Sequence, residues 1–142
     1  MPVISVTRLR VRSWRYLPGF VWYTLQVQRQ LKRSPGFLGG ALSFSPGRAF
    51  WTTTAWSDEP SMKEFRDSGW HKPAMRKLLD WCDEASLARW TQPTAALPDA
   101  AGMLEQLQSL GRTSKVRHPT AGHAAGQTVP DGHAPRPSRS FK

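Results

Sequence analysis

The sequence has one cysteine, Cys82, in 142 residues. A single thiol excludes an intramolecular disulfide framework and cannot supply a Cys-type zinc site. It falls on the apolar side of a helical stretch, which reads as a buried structural thiol in a reducing cytoplasm. No run of about 18 apolar residues occurs, so no membrane-spanning helix is expected. The opening MPVISVTRLRVR lacks the apolar run of a signal peptide. Glycine-rich nucleotide loops are missing, and so is a recognisable nucleophile elbow. His118, His123 and His133 are spaced too irregularly for a metal motif. No metal and no cofactor are therefore expected.

Acidic residues are also scarce, at ten against twenty Lys and Arg, for a net charge of +10. The basic excess is spread along the chain. Fourteen basic and seven acidic residues lie before position 93, and six basic and one acidic lie from 111 onward. Such a surface favours anionic ligands or nonspecific nucleic acid. No groove-reading motif accompanies the charge, so a solvated basic surface is the better reading and nucleic acid is not the expected partner.

What is present centres on residues 50–82, FWTTTAWSDEPSMKEFRDSGWHKPAMRKLLDWC. Phe50 to Trp56 is aromatic and β-branched, apolar on both faces, and reads as a strand covered on both sides. Ser57 is the expected N-cap of a short helix with Met62 and Phe65 on its apolar edge. Gly69 breaks it. A second helix follows, with Pro73 in its first turn and Met75, Leu78, Leu79 and Cys82 as its inward stripe. His71 stands near its entry.

Before this stretch, Val3 to Val11 alternates apolar residues with Arg8 and Arg10, the pattern of a half-buried strand with a solvated or interface face. Pro18 to Lys32 reads as a helix with stripes at Leu17, Val21, Leu25 and at Phe20, Thr24, Val27, Leu31. Phe37 to Ser45 reads as a strand weakened at Gly39-Gly40, where helix packing over the glycines is expected. Ser45-Pro46-Gly47-Arg48 is hairpin chemistry. After it, Asp83-Glu84 closes the helix and Ala85 to Thr91 forms the last strand. The order β-α-β-β-α-β predicts an α+β, ferredoxin-like domain over residues 1–92, with an antiparallel sheet. Residues 93–118 form a helical extension built on Met103, Leu104, Leu107 and Leu110. Residues 119–142, poor in aliphatic side chains, read as a disordered basic tail.

The run Trp56-Ser57-Asp58-Glu59, then Met62 to Phe65, then Ser68-Gly69-Trp70-His71-Lys72-Pro73-Ala74-Met75 resembles the antibiotic-biosynthesis-monooxygenase-like group of dimeric α/β barrels. The stretch Gly111 to Pro119 is similar to an extension seen in some members. The resemblance covers roughly residues 3 to 119. It implies a homodimer in which the open sheet faces pair, burying Trp51 and Ala55. It also implies a cleft between sheet and helices, where an electron-rich aromatic or polyketide-like substrate loses a proton and its anion reacts directly with oxygen. On this reading His71 is the candidate base, since a free imidazole titrates at about 6.5. Trp56, Phe65, Trp70 and Met75 would line the cleft. The alternative is a non-catalytic dimeric binding protein for haem or another flat hydrophobic ligand. The haem-degrading branch fits less well, because Thr7, Phe65 and Met75 stand where its Asn, Trp and iron-binding His are usual.

Overall fold

A computed structural model describes residues 1–69, 71–137 and 139–141, and at His71 the backbone alone. The elements are β1 (Val3–Val11), a 3-10 turn (Trp14–Tyr16), α1 (Leu17–Arg33), β2 (Phe37–Ser45), β3 (Ala49–Trp56), α2 (Glu59–Arg66), α3 (His71–Trp81) and β4 (Cys82–Thr91). Then come α4 (Ala100–Leu110), β5 (Arg112–Thr113), α5 (Ala121–Ala124) and β6 (Arg139–Phe141). Among the described residues the strands form one antiparallel sheet in the order β5-β4-β1-β3-β2-β6. The central β4-β1-β3-β2 order, with helices between β1 and β2 and between β3 and β4, is the ferredoxin-like arrangement expected above.

The register sets two faces, because side chains alternate along a strand and directly paired residues share a side. Val3, Leu9 and Val11 of β1 and Phe50 and Trp56 of β3 pack against α1, α2 and α3 in two clusters at opposite ends of the sheet. Ile4, Val6 and Arg8 of β1, with Trp51, Thr53 and Ala55 of β3, face the other way.

Local chemistry explains the boundaries, with some differences from expectation. Asp58, not Ser57, caps α2: its carboxylate accepts from the Ser61 amide at 2.8 Å, and that bond holds its pKa below the usual value. Pro60 occupies the first turn, where an amide is dispensable. Gly69 takes φ of +59°, as the break between α2 and α3 requires. On α1 the stripe through Phe20 and Leu31 faces the core, while Val21 and Leu25 lie exposed beside Trp22. On α3 Ala74 is buried and Leu78 packs on the core as expected, but Met75 is 47 % exposed.

β4 begins at Cys82, so Asp83 and Glu84 belong to the strand and not to the helix end. A bulge places one extra residue, Asp83, opposite the Arg10/Val11 step. Two buried acids are held there by ion pairs to β1: Arg10 to Asp83 at 2.5 Å and Arg8 to Glu84 at 2.7 Å. The arginine side of β1 is thus an internal charged seam and not a solvated face.

The largest departures lie in the C-terminal third. Residues 119–142 were expected to be disordered; within them α5 is capped by Thr120, and β6 pairs with β2 at Gly40, Ala41 and Leu42. The Phe141 ring, not a helix, lies over Gly40 and stacks on Phe37 at 5.9 Å. The second face of the sheet, expected to bury Trp51 and Ala55 against a second subunit, is covered by the chain itself. Met103 and Leu107 of α4 and Val129 pack on Val6, Trp51 and Ala88. Among the described residues no helix is long and apolar enough to cross a membrane.

Candidate functional site

Between the two apolar clusters, the helix-facing side of the sheet is polar. Ser5 is paired with Thr54 on one side and Arg89 on the other, and Thr7 with Thr52 and Leu87. These residues occupy the middle rungs of β3, β1 and β4. Ser5, Thr7, Thr52, Leu87 and Arg89 remain partly accessible beneath the helices. This side of the sheet therefore carries a belt of hydroxyl groups, with Trp56 and Phe65 at one end.

Arg89 is its one charged member on these rungs. The Nε atom is buried and has no hydrogen-bond partner. A buried donor left unpaired costs about 1–3 kcal/mol, so its satisfaction by a ligand would be favourable. Burial disfavours the charged guanidinium and lowers its pKa, and the positive charges of Arg66 and Arg112 lower it further; Glu59 opposes them. Arg112 of β5 lies beside Arg89 at this edge of the sheet. A surface cavity of about 180 Å³, lined by Leu87, Ala88, Arg89, Leu110 and Arg112, opens there. The arrangement can hold an anion, or an oxygen that becomes anionic, against Arg89 while hydroxyl groups accept or donate along the ring of a flat molecule.

The residues singled out from the sequence are not equally placed. Trp56 is 1 % exposed, donates from Nε1 to Thr54 Oγ1 at 3.0 Å, and packs on Phe65 with centroids 5.3 Å apart. Both are end walls of the cleft more than open contacts. Met75 is turned outward, one position off the inward face. Trp70 lies outside the described residues, and so does the side chain of His71; the backbone of His71 opens α3. Arg89 escaped the sequence reading because an arginine in a strand carries no motif. The alternation of Leu87 and Arg89 with Ala88 was its only signal.

A second surface cavity of about 390 Å³ lies between the end of α1 and Ser68, beside Arg29 and Arg33. Its polar amide, from Gln30, donates to the Ser68 and Phe65 carbonyls and serves to hold the α2–α3 corner. Among the described residues no group of three or more His, Cys, Asp and Glu is placed to hold a metal ion.

No family model matches the sequence. No curated protein matches it either. Solved structures do share the fold. SnoaB, a cofactor-independent oxygenase from Streptomyces nogalater, superposes with a TM-score of 0.56 at 16% identity, over 66% of this chain and 94% of that one. A protein from Nitrosomonas europaea named for the antibiotic biosynthesis monooxygenases gives 0.58 at 14% identity, over 65% and 90%. A conserved protein from Methanosarcina mazei Go1 gives 0.59 at 14% identity, over 65% and 93%. The architecture is that of the antibiotic-biosynthesis-monooxygenase-like proteins.

Proposed function

We propose that the chain binds a flat, electron-rich aromatic molecule in the cleft between helices and sheet, and oxidises it with dioxygen without a cofactor. The observation that carries this reading is the unpartnered, buried Nε of Arg89 at the edge of the hydroxyl belt. The likeness in fold to a cofactor-independent oxygenase supports it.

The chemistry such a site favours is deprotonation. A hydroquinone- or anthrone-type substrate gives up a proton, and its oxyanion rests against Arg89, where a preorganised charged donor stabilises it. The anion passes electrons to dioxygen and forms a carbon–oxygen bond, and the peroxide then loses water to leave a carbonyl. In balance, a ring CH2 and O2 become C=O and H2O. His71 is the proposed proton acceptor, and Trp70 a proposed ring contact. Phe65 and Trp56 keep water from one end of the cleft.

The alternative of a haem-binding protein gains no observation of its own. Met75, standing where the resemblance would place the iron ligand, faces outward at the surface.

The test is oxygen uptake with a panel of hydroquinone and anthrone substrates. Wild-type protein should consume oxygen, and Arg89→Gln should lower kcat/KM about a hundredfold, the usual loss for one oxyanion donor. Unchanged uptake in Arg89→Gln would remove Arg89 from the site. No uptake with any member of the panel, together with no ligand-induced rise in Tm, would remove the oxygenase reading.

A further inference from the structure

The sheet face opposite the helices is where this fold leaves room for a second subunit, and in this chain it is already filled. Ile4, Val6, Trp51 and Ala55 are each 0 % exposed in the single chain. Met103 and Leu107 of α4 and Val129 supply the apolar cover.

The cover also pairs with polar atoms of that face on each of four strands, while Arg8 Nε and His123 Nδ1 stay without a partner. On β3, Thr53 Oγ1 donates to Met103 Sδ at 2.9 Å. On β4, Ser86 Oγ donates to the Thr128 carbonyl at 2.8 Å, and Glu84 accepts from Thr120 Oγ1 at 2.9 Å. On β1, Arg8 reaches Asp131 at 3.5 Å. On β2, Ser43 Oγ donates to the Arg136 carbonyl, and the Arg136 amide donates to the Phe44 carbonyl at 2.9 Å. His123, itself buried, directs Nε2 to the carbonyls of Ser114 and Ala85 at 2.8 and 3.2 Å and pins the segment to β4. Buried polar groups are costly unless paired, and these pairs come from residues 103–136 of the same chain.

The neighbours bear on the same point. Two thirds of this chain accounts for 94% of the length of SnoaB, so about a third of this chain has no counterpart there. The ferredoxin-like unit ends at Thr91, and the rest is the cover.

We propose that residues 97–137 take the place of a second subunit: the sheet face is closed in cis, and the protein is a monomer. The cleft on the helix side is then complete within one chain.

The experiment is native mass spectrometry of the full chain, with amide hydrogen exchange on the same sample. The expected result is a single 16.0 kDa species with the Ser114, Thr120 and Arg136 amides protected. A species of twice that mass would overturn the proposal, whether or not those amides are protected. So would a monomer in which they exchange freely. As a second measurement, the full-chain double variant Met103→Asp/Leu107→Asp should lose that protection and either dimerise or bind a hydrophobic dye. If it stays monomeric, protected and free of dye, α4 does not hold the cover and the proposal fails. The wild-type mass decides the question even where this variant does not fold.

Discussion

Arg8 Nη1 lies 2.7 Å from Glu84 Oε1, with side-chain exposures of 0 % and 8 %. The two residues sit on adjacent strands, two residues off direct pairing, since Arg8 is opposite Ser86. The Arg8 guanidinium also lies 5.9 Å from the centre of the Trp51 ring. A charge pair this far from water holds register but adds little net stability, because desolvation offsets the attraction.

Removing one partner is a different matter. Arg8→Met leaves the Glu84 carboxylate buried with only the Thr120 hydroxyl for company, and should cost about 3–5 kcal/mol. Arg8→Met combined with Glu84→Leu should recover most of that loss. Urea denaturation of the two single variants and the double variant measures the coupling. A double variant no more stable than Arg8→Met would show that the pair is not the source of the cost.

The docking of α4 predicts a contrast along one helix. Leu107 is 0 % exposed and Leu110 is 56 % exposed. Leu107→Ala opens a cavity against Val6, Trp51 and Ala88 and should cost about 2–5 kcal/mol. Leu110→Ala should stay within about 0.5 kcal/mol. Thermal unfolding of both variants checks this. Equal losses would mean that α4 is not seated by its Met103–Leu107 edge.

These residues also show what sequence could and could not reveal. Alternation in Val3 to Val11 and the 3–4 spacing from Met103 to Leu107 marked strand and helix, because burial of one face imposes a period. The break at Gly69 is local chemistry and legible, whereas the cap falls on Asp58, one residue past the expected Ser57, because either side chain can accept from a first-turn amide. Arg8 reads as part of a solvated or interface face, because a lone arginine looks the same whether it meets water or Glu84, 76 residues away. The stretch 119–142 reads as disordered because it has almost no aliphatic residue, Val129 excepted. It is held instead by hydroxyls, one histidine and carbonyls aimed at polar atoms of the sheet, contacts that leave no periodic mark. Arg89 leaves no mark in the sequence for the same reason, its meaning coming only from the rungs beside it.

Two glycines in neighbouring positions should respond in opposite ways. Gly36 has φ of +83°, and a Cβ there would lie 2.5 Å from Ser61 Oγ. Gly36→Ala should therefore destabilise by more than about 1 kcal/mol, the strain exceeding any gain from a stiffer unfolded chain. A Cβ on Gly39 meets nothing within 4 Å, and its φ is not left-handed. Gly39→Ala should be neutral or stabilising by about 0.4–1 kcal/mol. Denaturant midpoints for both variants test the pair, and a destabilised Gly39→Ala would contradict the open space beside β2.

The last prediction concerns Cys82. Burial pushes its thiol up to about 12, and the adjacent Asp83 charge pushes in the same direction. The thiolate is the reactive form, so a thiol reagent at about pH 8 should leave the folded protein untouched and label one site in urea. The same shift couples to stability. In the unfolded chain a cysteine releases its proton near about 8.5. In the folded protein it keeps the proton until about 12. Between those values the unfolded state binds fewer protons, so the stability gained at lower pH is lost as pH rises. Cys82→Ala removes the titrating group and should flatten the decline in stability between about pH 8 and pH 10 relative to wild type. The readout is the change in urea midpoint over that range. Identical slopes in the two proteins would mean that the thiol does not carry the alkaline loss, and that another group titrates on unfolding there.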